Sequence, residues 1–195
     1  MGTNINTSFG KAFNTVINGF EGKYGNDKDD PGGETYKGIA RNINKDFEGW
    51  GIIDNLRGDK NFPGVLEGIN LLQTYVMDFY KINYWDKFLG DKLGEKSGLE
   101  MFDQSVNLGT GRAIEHLQRS LNILNNRQKL YGDIKADGAM GNITLAAYQN
   151  CCLKQGENLL VNVLNIYQGK YYIELMENKE EFEKFYGLLK RVTVN

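Results

Sequence analysis

Apolar residues recur at spacings of three and four along most of the chain, and this period constrains the fold more than any other feature. Such a period is typical of amphipathic helices that bury one face. The first apolar face follows Ser8, a plausible N-cap, and consists of Phe9, Ala12, Phe13, Val16, Ile17 and Phe20. Similar faces lie in residues 66–80, 99–124, 143–152, 159–176 and 180–190, with at most a small β-hairpin within residues 22–40. Gly109-Thr110-Gly111 breaks the second of these, Asn142 is expected to cap the third, and residues 171–176 extend the fourth. The sequence therefore predicts a mainly α (α+β) fold of two lobes around a shared core.

The charge and the histidine and cysteine content argue against several classes of function. A net charge of −2 gives no reason to expect binding to nucleic acid. No apolar stretch approaches the roughly 20 residues that span a bilayer, so we expect no membrane insertion. The single histidine, His116, lies in a helical pattern, and the adjacent Cys151 and Cys152 are expected to be buried thiols. We predict a monomer without a metal or another cofactor.

A polar stretch rich in glycine and acids, FEGKYGNDKDDPGGETYKGI (residues 20–39), follows the first predicted helix. Glu21 comes four residues after Ile17 and thus lies beside the apolar face. A carboxyl group against apolar side chains is poorly hydrated when charged, which suits a general acid. Glycosidic cleavage generally needs a second carboxylate, and several acids follow in the same stretch: Asp27, Asp29, Asp30 and Glu34.

Two other interpretations of this stretch stay open. Asp-rich turns are commonly only solvated surface, and from the local pattern alone that is the simpler interpretation. A calcium loop would use the same oxygen ligands, but Pro31 and Gly32 fall where an EF-hand would keep ligands and Glu34 comes too early.

Residues 20–41 resemble the opening of the N-acetylmuramidases of glycoside hydrolase family 108, with an EGGY motif, a DPGG stretch, a Thr and a Gly-Ile pair. The likeness continues in YWD at 84–86 and FDQSVNLG at 102–109. LQRSLN at 117–122 and DGAMGNITL at 137–145 resemble the associated predicted peptidoglycan-binding region. The resemblance covers roughly residues 9–191, nearly the whole chain.

The resemblance implies a lysozyme-like fold and hydrolysis of the β-1,4 bond between N-acetylmuramic acid and N-acetylglucosamine. It places the catalytic glutamate of the EGGY motif at Glu21, while Lys23 replaces the second Gly of that motif. A looser likeness to phage-type lysozymes suggests Asp30 as the residue that orients water or stabilises the anomeric carbon. The same likeness suggests Thr35 for positioning that water, with Asp29 and Glu34 as alternatives to Asp30. Four further residues are expected to bind substrate: Tyr24, Tyr36, Gln104 and Asn107.

We expect a catalytic lobe in residues 1–96 and a helical, peptidoglycan-binding lobe in residues 97–195, packed as one compact unit. The expected partner is the glycan strands of peptidoglycan. The N-terminal MGTNINTSFG lacks the pattern of a classical signal peptide. We therefore expect synthesis in the cytoplasm and action at the cell wall or periplasm after non-classical or holin-like release.

Two functions of other classes compete with a muramidase. One is a non-catalytic peptidoglycan-binding or secretion-accessory protein that keeps the fold. The other is an interaction module organised by a metal.

Overall fold

The computed structural model describes residues 6–19, 21, 23–27 and 30–192, and it shows two compact units, residues 1–86 and 87–195. The predicted boundary at residues 96/97 lies farther along the chain than this division. The packing of the two lobes into one unit stays a prediction.

The first unit is built from three α-helices, short 3-10 and π-helical segments and a small sheet. The N-cap of its first helix is Thr7 and not the predicted Ser8, because Thr7 Oγ1 accepts a hydrogen bond of 3.0 Å from Gly10 N. The segments in chain order are α1 (Ser8–Phe13), a π-helix (Asn14–Asn18), β1 (Tyr24–Gly25), β2 (Thr35–Tyr36), β3 (Ile39–Ala40), α2 (Gly49–Leu56), a 3-10 helix (Gly64–Gly68), α3 (Asn70–Tyr80) and a second π-helix (Lys81–Trp85).

Aromatic contacts fix the first helix against α3 and the π-helix that follows it. The Phe9 ring lies 5.4 Å from the Trp85 ring, and Phe13 meets Tyr80 edge-on at 6.0 Å. Both pairs are buried, as is Ile17 one turn later. The predicted apolar face is therefore confirmed over residues 9–17, and Phe20 lies outside the described residues. This packing places the C-terminal end of the first helix near the hydroxyl group of Tyr80.

The sheet is antiparallel in the order β1-β2-β3, with Tyr24 opposite Tyr36 and Tyr36 opposite Ile39. The expected short hairpin is confirmed and has a third strand. Lys37 and Gly38 form the two-residue turn between β2 and β3, and both have positive φ, +46° and +79°. Positive φ at both central residues is the requirement of a type I′ turn, which matches the twist of the strands it joins.

The second unit contains four longer helices and a C-terminal 3-10 helix. Gly109 and Gly156, each with a φ of +86°, form sharp single-residue links between consecutive helices. Glycine is suited to this backbone conformation because it has no Cβ. The segments are a 3-10 helix at Asp86–Phe88, which begins on the last residue of the first unit, a 3-10 helix at Gly90–Lys92, α4 (Glu95–Leu108), α5 (Thr110–Leu124), α6 (Asn142–Gln155), α7 (Glu157–Asn178) and a 3-10 helix (Glu180–Arg191).

Three sequence predictions for this unit can be compared with these bounds. The break at Gly109 and the extension of the helix through residues 171–176 are confirmed. Asn142 is the first residue of α6 rather than its cap, which is Gly141. Residues 180–190 form a 3-10 helix interrupted at Phe185 rather than one regular amphipathic helix.

Buried polar groups join α4, α5 and α7. Gln104 Nε2 donates to Glu100 Oε1 (2.7 Å) and to Leu164 O (3.0 Å), so its Oε1 is the acceptor for His116 Nδ1 at 2.8 Å. His116 therefore carries its hydrogen on Nδ1, and its ring stacks on Tyr167 with the centroids 5.2 Å apart. Burial lowers the pKa of His116 to about 4 and raises the pKa of Glu100 to about 7.

These two pKa shifts predict opposite slopes of stability against pH. The raised pKa of Glu100 stabilises the fold below its unfolded value of 4.5, and this contribution is lost as the pH rises to about 7. The lowered pKa of His116 stabilises the fold above its unfolded value of 6.5, and this contribution is lost as the pH falls to about 4. The two slopes therefore partly cancel in the wild type.

We expect Glu100→Gln to leave a free energy of unfolding that rises between about pH 4.5 and 6.5, and His116→Gln to leave one that falls. Urea unfolding at a series of pH values measures both slopes. Each variant is compared with itself across pH, so a general loss of stability does not affect the result. Parallel curves for the two variants would contradict this assignment.

The described residues confirm a mainly α fold with one small antiparallel sheet. None of the described helices is both long enough and apolar enough to span a bilayer.

Candidate functional site

Glu21 lies where the first helix ends. Its backbone N–H donates to Ile17 O at 3.3 Å, a bond that continues the helical turn past the π-helix Asn14–Asn18. π-helical turns insert extra backbone into a helix and occur frequently at functional sites. The Glu21 side chain is partly buried, in agreement with its predicted place beside the apolar face.

The turn between β2 and β3 brings its backbone against the Glu21 carboxylate. A Cβ added to Gly38 would lie 3.0 Å from Glu21 Oε2 and 2.7 Å from Tyr80 Oη. Tyr80 Oη also donates a 2.6 Å hydrogen bond to Lys37 O in the same turn. Gly38 thus serves two needs at once, a positive φ and a close approach to the two side chains.

Two tyrosines share the surroundings of Glu21. Burial raises the pKa of Tyr80 well above its usual value and also raises that of Tyr84, and the negative charge of Glu21 adds to both shifts. Both hydroxyls therefore stay protonated near neutral pH. The rings of Tyr80 and Tyr84 are in contact, with centroids 5.4 Å apart, so Glu21 has a pair of packed aromatic side chains in its surroundings.

Glu21 borders a cavity of about 320 Å³ in the first unit. The ammonium of Lys37 is fixed in this cavity by two hydrogen bonds. Nζ donates to Gln73 Oε1 at 2.8 Å and to Asn18 Oδ1 at 3.1 Å. The Lys37 residue is only 7% exposed, so the turn directs its side chain inward. The lining residues are Ile17, Asn18, Glu21, Lys23, Lys37, Glu67 and Gln73.

Glu67 supplies a second carboxylate to this cavity. Its Oε1 accepts from Tyr36 Oη at 3.2 Å, and its Oε2 lies 3.4 Å from Lys37 Nζ. The side chain remains 35% exposed, so it is held in place and is also accessible. Sequence reasoning missed it, since Glu67 lies 46 positions beyond Glu21 in a 3-10 helix whose letters, GVLEG, carry no catalytic pattern. Lys37 was missed too, although the Lys-Gly pair between two short strands could have indicated a tight turn.

Asp30 does not line this cavity. It is exposed, and its Oδ1 accepts from Gly32 N at 2.7 Å while its carbonyl accepts from Gly33 N at 2.8 Å. Its side chain thus shapes the acidic turn. Thr35 is half-buried in β2, where Oγ1 donates to Gly33 O at 3.2 Å. The catalytic roles of Asp30 and Thr35 stay predictions, and Asp29 lies outside the described residues.

Glu34 is held in an ion-pair network. It is 7% exposed, and its Oε2 lies 2.6 Å from Arg41 Nε and 2.7 Å from an Arg57 nitrogen. Tyr24 Oη donates to Glu34 Oε1 at 2.9 Å, and the Tyr24 ring meets Phe62 edge-on at 5.0 Å. A carboxylate with two guanidinium partners is suited to holding the loop in shape.

Three further residues were predicted to bind substrate: Tyr36, Gln104 and Asn107. The Tyr36 ring is fully buried, and its hydroxyl is hydrogen-bonded to Glu67 and Gln73 of the cavity lining. Gln104 is fully buried among α4, α5 and α7. Asn107 donates to Asp103 O at 2.8 Å on the same helix. The structure thus places Gln104 and Asn107 in the second unit, whereas Glu21, Tyr24, Asp30, Thr35 and Tyr36 are in the first.

Two family models match this chain. Residues 14–109 match the family described as Glycosyl hydrolase 108, and residues 112–193 match the one described as Predicted Peptidoglycan domain. The solved structure titled "Structure of Brucella abortus SagA" is 25% identical, with a TM-score of 0.62 over 95% of this chain and 89% of that one. A search of curated proteins found no match.

Proposed function

We propose that this chain, whose residues 14–109 match the glycosyl hydrolase 108 family, is an N-acetylmuramidase with Glu21 as its general acid. Its general class, a peptidoglycan hydrolase, follows from the two family matches together. The proposal adds two details to this class. The bond cleaved is the β-1,4 bond between N-acetylmuramic acid and N-acetylglucosamine, and the general acid is Glu21.

The observation that carries the proposal is the setting of the Glu21 carboxylate. It borders a cavity, and the backbone at Gly38 approaches both Glu21 Oε2 and Tyr80 Oη closely. In this reaction Glu21 donates its proton to the glycosidic oxygen as the bond from that oxygen to the anomeric carbon breaks. Water then supplies the new oxygen on the anomeric carbon, and the proton that water loses goes to a carboxylate.

Glu67 is a second candidate for the carboxylate that works with Glu21. It borders the same cavity, and Tyr36 and Lys37 hold its two oxygens. The Lys37 ammonium supplies compensating positive charge beside it. Asp30 remains the alternative that the sequence suggests, and it would have to act from the exposed turn.

Analysis of the soluble products tests the bond. Purified peptidoglycan is digested, the fragments are reduced with borohydride, and mass spectrometry identifies the sugar at the reduced end. We expect muramitol at that end, because a muramidase leaves N-acetylmuramic acid as the new reducing sugar. Glucosaminitol there would overturn the assigned bond and leave the class of enzyme intact.

A further inference from the structure

A second cavity, of about 460 Å³, lies between α4 and α7 in the second unit. Its volume is within the range of small-ligand sites. Three carboxamides, one cation, one acid and two aliphatic side chains line it, and none of these described residues is aromatic. They are Lys96, Leu99 and Glu100 from α4 and Asn158, Val161, Asn162 and Asn165 from α7.

The mouth of this α4–α7 groove is a cluster of hydrogen-bond donors. Lys96 Nζ donates to Asn158 Oδ1 at 2.7 Å, and both residues are exposed. An ammonium has three donors, so this bond leaves others for a ligand. With its carbonyl occupied by Lys96, Asn158 presents its NH₂ group, which has no partner within the described part of the chain. An ammonium and an amide NH₂ side by side form a receptor for a carboxylate.

The inner wall is rigid and amide-rich. Asn165 Nδ2 donates to Glu100 Oε2 at 2.8 Å and to Val161 O at 3.1 Å, which fixes the orientation of its amide. The other oxygen of Glu100 accepts from Gln104 at 2.7 Å. Leu99 and Val161 are half-buried and add short apolar surface. A peptide bond with small side chains fits this mixture of amides and aliphatic groups.

Peptidoglycan offers two kinds of ligand, sugars and short stem peptides. Sugar rings have apolar faces that pack well on aromatic side chains, and the described lining has none. Stem peptides carry free carboxylates, amide bonds and alanine methyl groups, each of which has a counterpart in the groove. The chemistry of the groove therefore favours the peptide.

We propose that the groove between α4 and α7 binds the stem peptide of peptidoglycan, with Lys96 and Asn158 receiving a peptide carboxylate. This inference rests on the proposed function for its substrate. On this proposal the second unit binds the stem peptides of peptidoglycan, and the first unit acts on the glycan strand.

Isothermal titration calorimetry on the full chain tests the proposal with three probes. They are the synthetic tripeptide L-Ala-γ-D-Glu-L-Lys, its fully amidated analogue and an N-acetylglucosamine tetramer. We expect the free tripeptide to bind and its amidated analogue to bind at least about tenfold more weakly, since a charge-assisted bond is lost. The proposal is overturned if the sugar tetramer binds and the tripeptide does not, or if neither of them binds.

Two substitutions locate the site. Lys96→Gln removes the charge and should weaken tripeptide binding by about tenfold or more. Asn158→Asp keeps an acceptor for Lys96 but replaces the NH₂ donor with a second anion, so binding should be lost. Lys154→Gln, at an exposed lysine on α6, is the matched control and should bind as the wild type does. Equal affinity for all three variants would refute the assignment of Lys96 and Asn158.

The two proposals fail separately. Hydrolysis of a glycan strand stripped of its peptides tests the first unit without the groove and is measured on the wild type. Tripeptide binding should in turn survive Glu21→Gln. Hydrolysis without tripeptide binding overturns the groove alone, whereas tripeptide binding without hydrolysis overturns the muramidase alone.

Discussion

Glu21→Gln should lower peptidoglycan hydrolysis by at least about a thousandfold, because an amide of the same shape cannot donate the proton that the leaving oxygen needs. Turbidity clearing of purified peptidoglycan, with released reducing ends as a second readout, measures the loss. The thermal midpoint should change little, since the carboxylate borders a cavity and is not fully buried. Full activity in this variant would remove Glu21 from the mechanism.

The matched control is Glu48→Gln, an exposed glutamate in the same unit that lies away from the cavity lining. It should clear peptidoglycan at the wild-type rate. If neither the wild type nor Glu21→Gln hydrolyses peptidoglycan while both bind it, the accessory role that the sequence also allows gains support.

The same assay separates the candidate partners of Glu21. Glu67→Gln should reduce the rate strongly if the cavity geometry selects the second carboxylate. Asp30→Asn should have the larger effect if the acidic turn supplies it, as the phage-lysozyme likeness suggests. An Asn at position 30 can still accept the bond from Gly32, so the turn itself is retained.

Gly38→Ala should damage both stability and activity. An alanine at a φ of +79° is strained by about 1–2 kcal/mol, which lowers the thermal midpoint by several degrees. Its Cβ would also lie 2.7 Å from Tyr80 Oη and 3.0 Å from Glu21 Oε2, so one of these groups must move. We expect hydrolysis to fall by about a hundredfold, since misplacing a catalytic group by an ångström has effects of that size.

Gly109→Ala separates backbone strain from crowding of the site. Gly109 has a comparable φ of +86°, but a Cβ there would meet nothing within 4 Å. The thermal midpoint of Gly109→Ala should fall, as that of Gly38→Ala does, while its hydrolytic activity stays near that of the wild type. If the two variants lose activity equally, crowding of Glu21 is not the cause.

The elements with a strong local signal were predictable. The apolar face of residues 9–17 needs only the helical period, and the break at Gly109 needs only a residue that tolerates positive φ. Glu21 was found because it follows that face directly and sits in a motif. The cap was misplaced by one residue, at Ser8 instead of Thr7, because both hydroxyl residues can cap a helix and only the backbone decides between them.

The sequence by itself determined the helical class and the small hairpin, because both depend on neighbours within a few positions. Its resemblance to a known family made Glu21 the candidate acid. Tertiary structure alone decided which groups surround that acid. Glu67 and Lys37 are brought to its cavity by a 3-10 helix and by a turn with two positive φ values. It also showed that Glu34, which the sequence suggested as an alternative to Asp30, is bound to two arginines. Contacts between residues far apart in the chain depend on how the elements pack, and no local pattern records that.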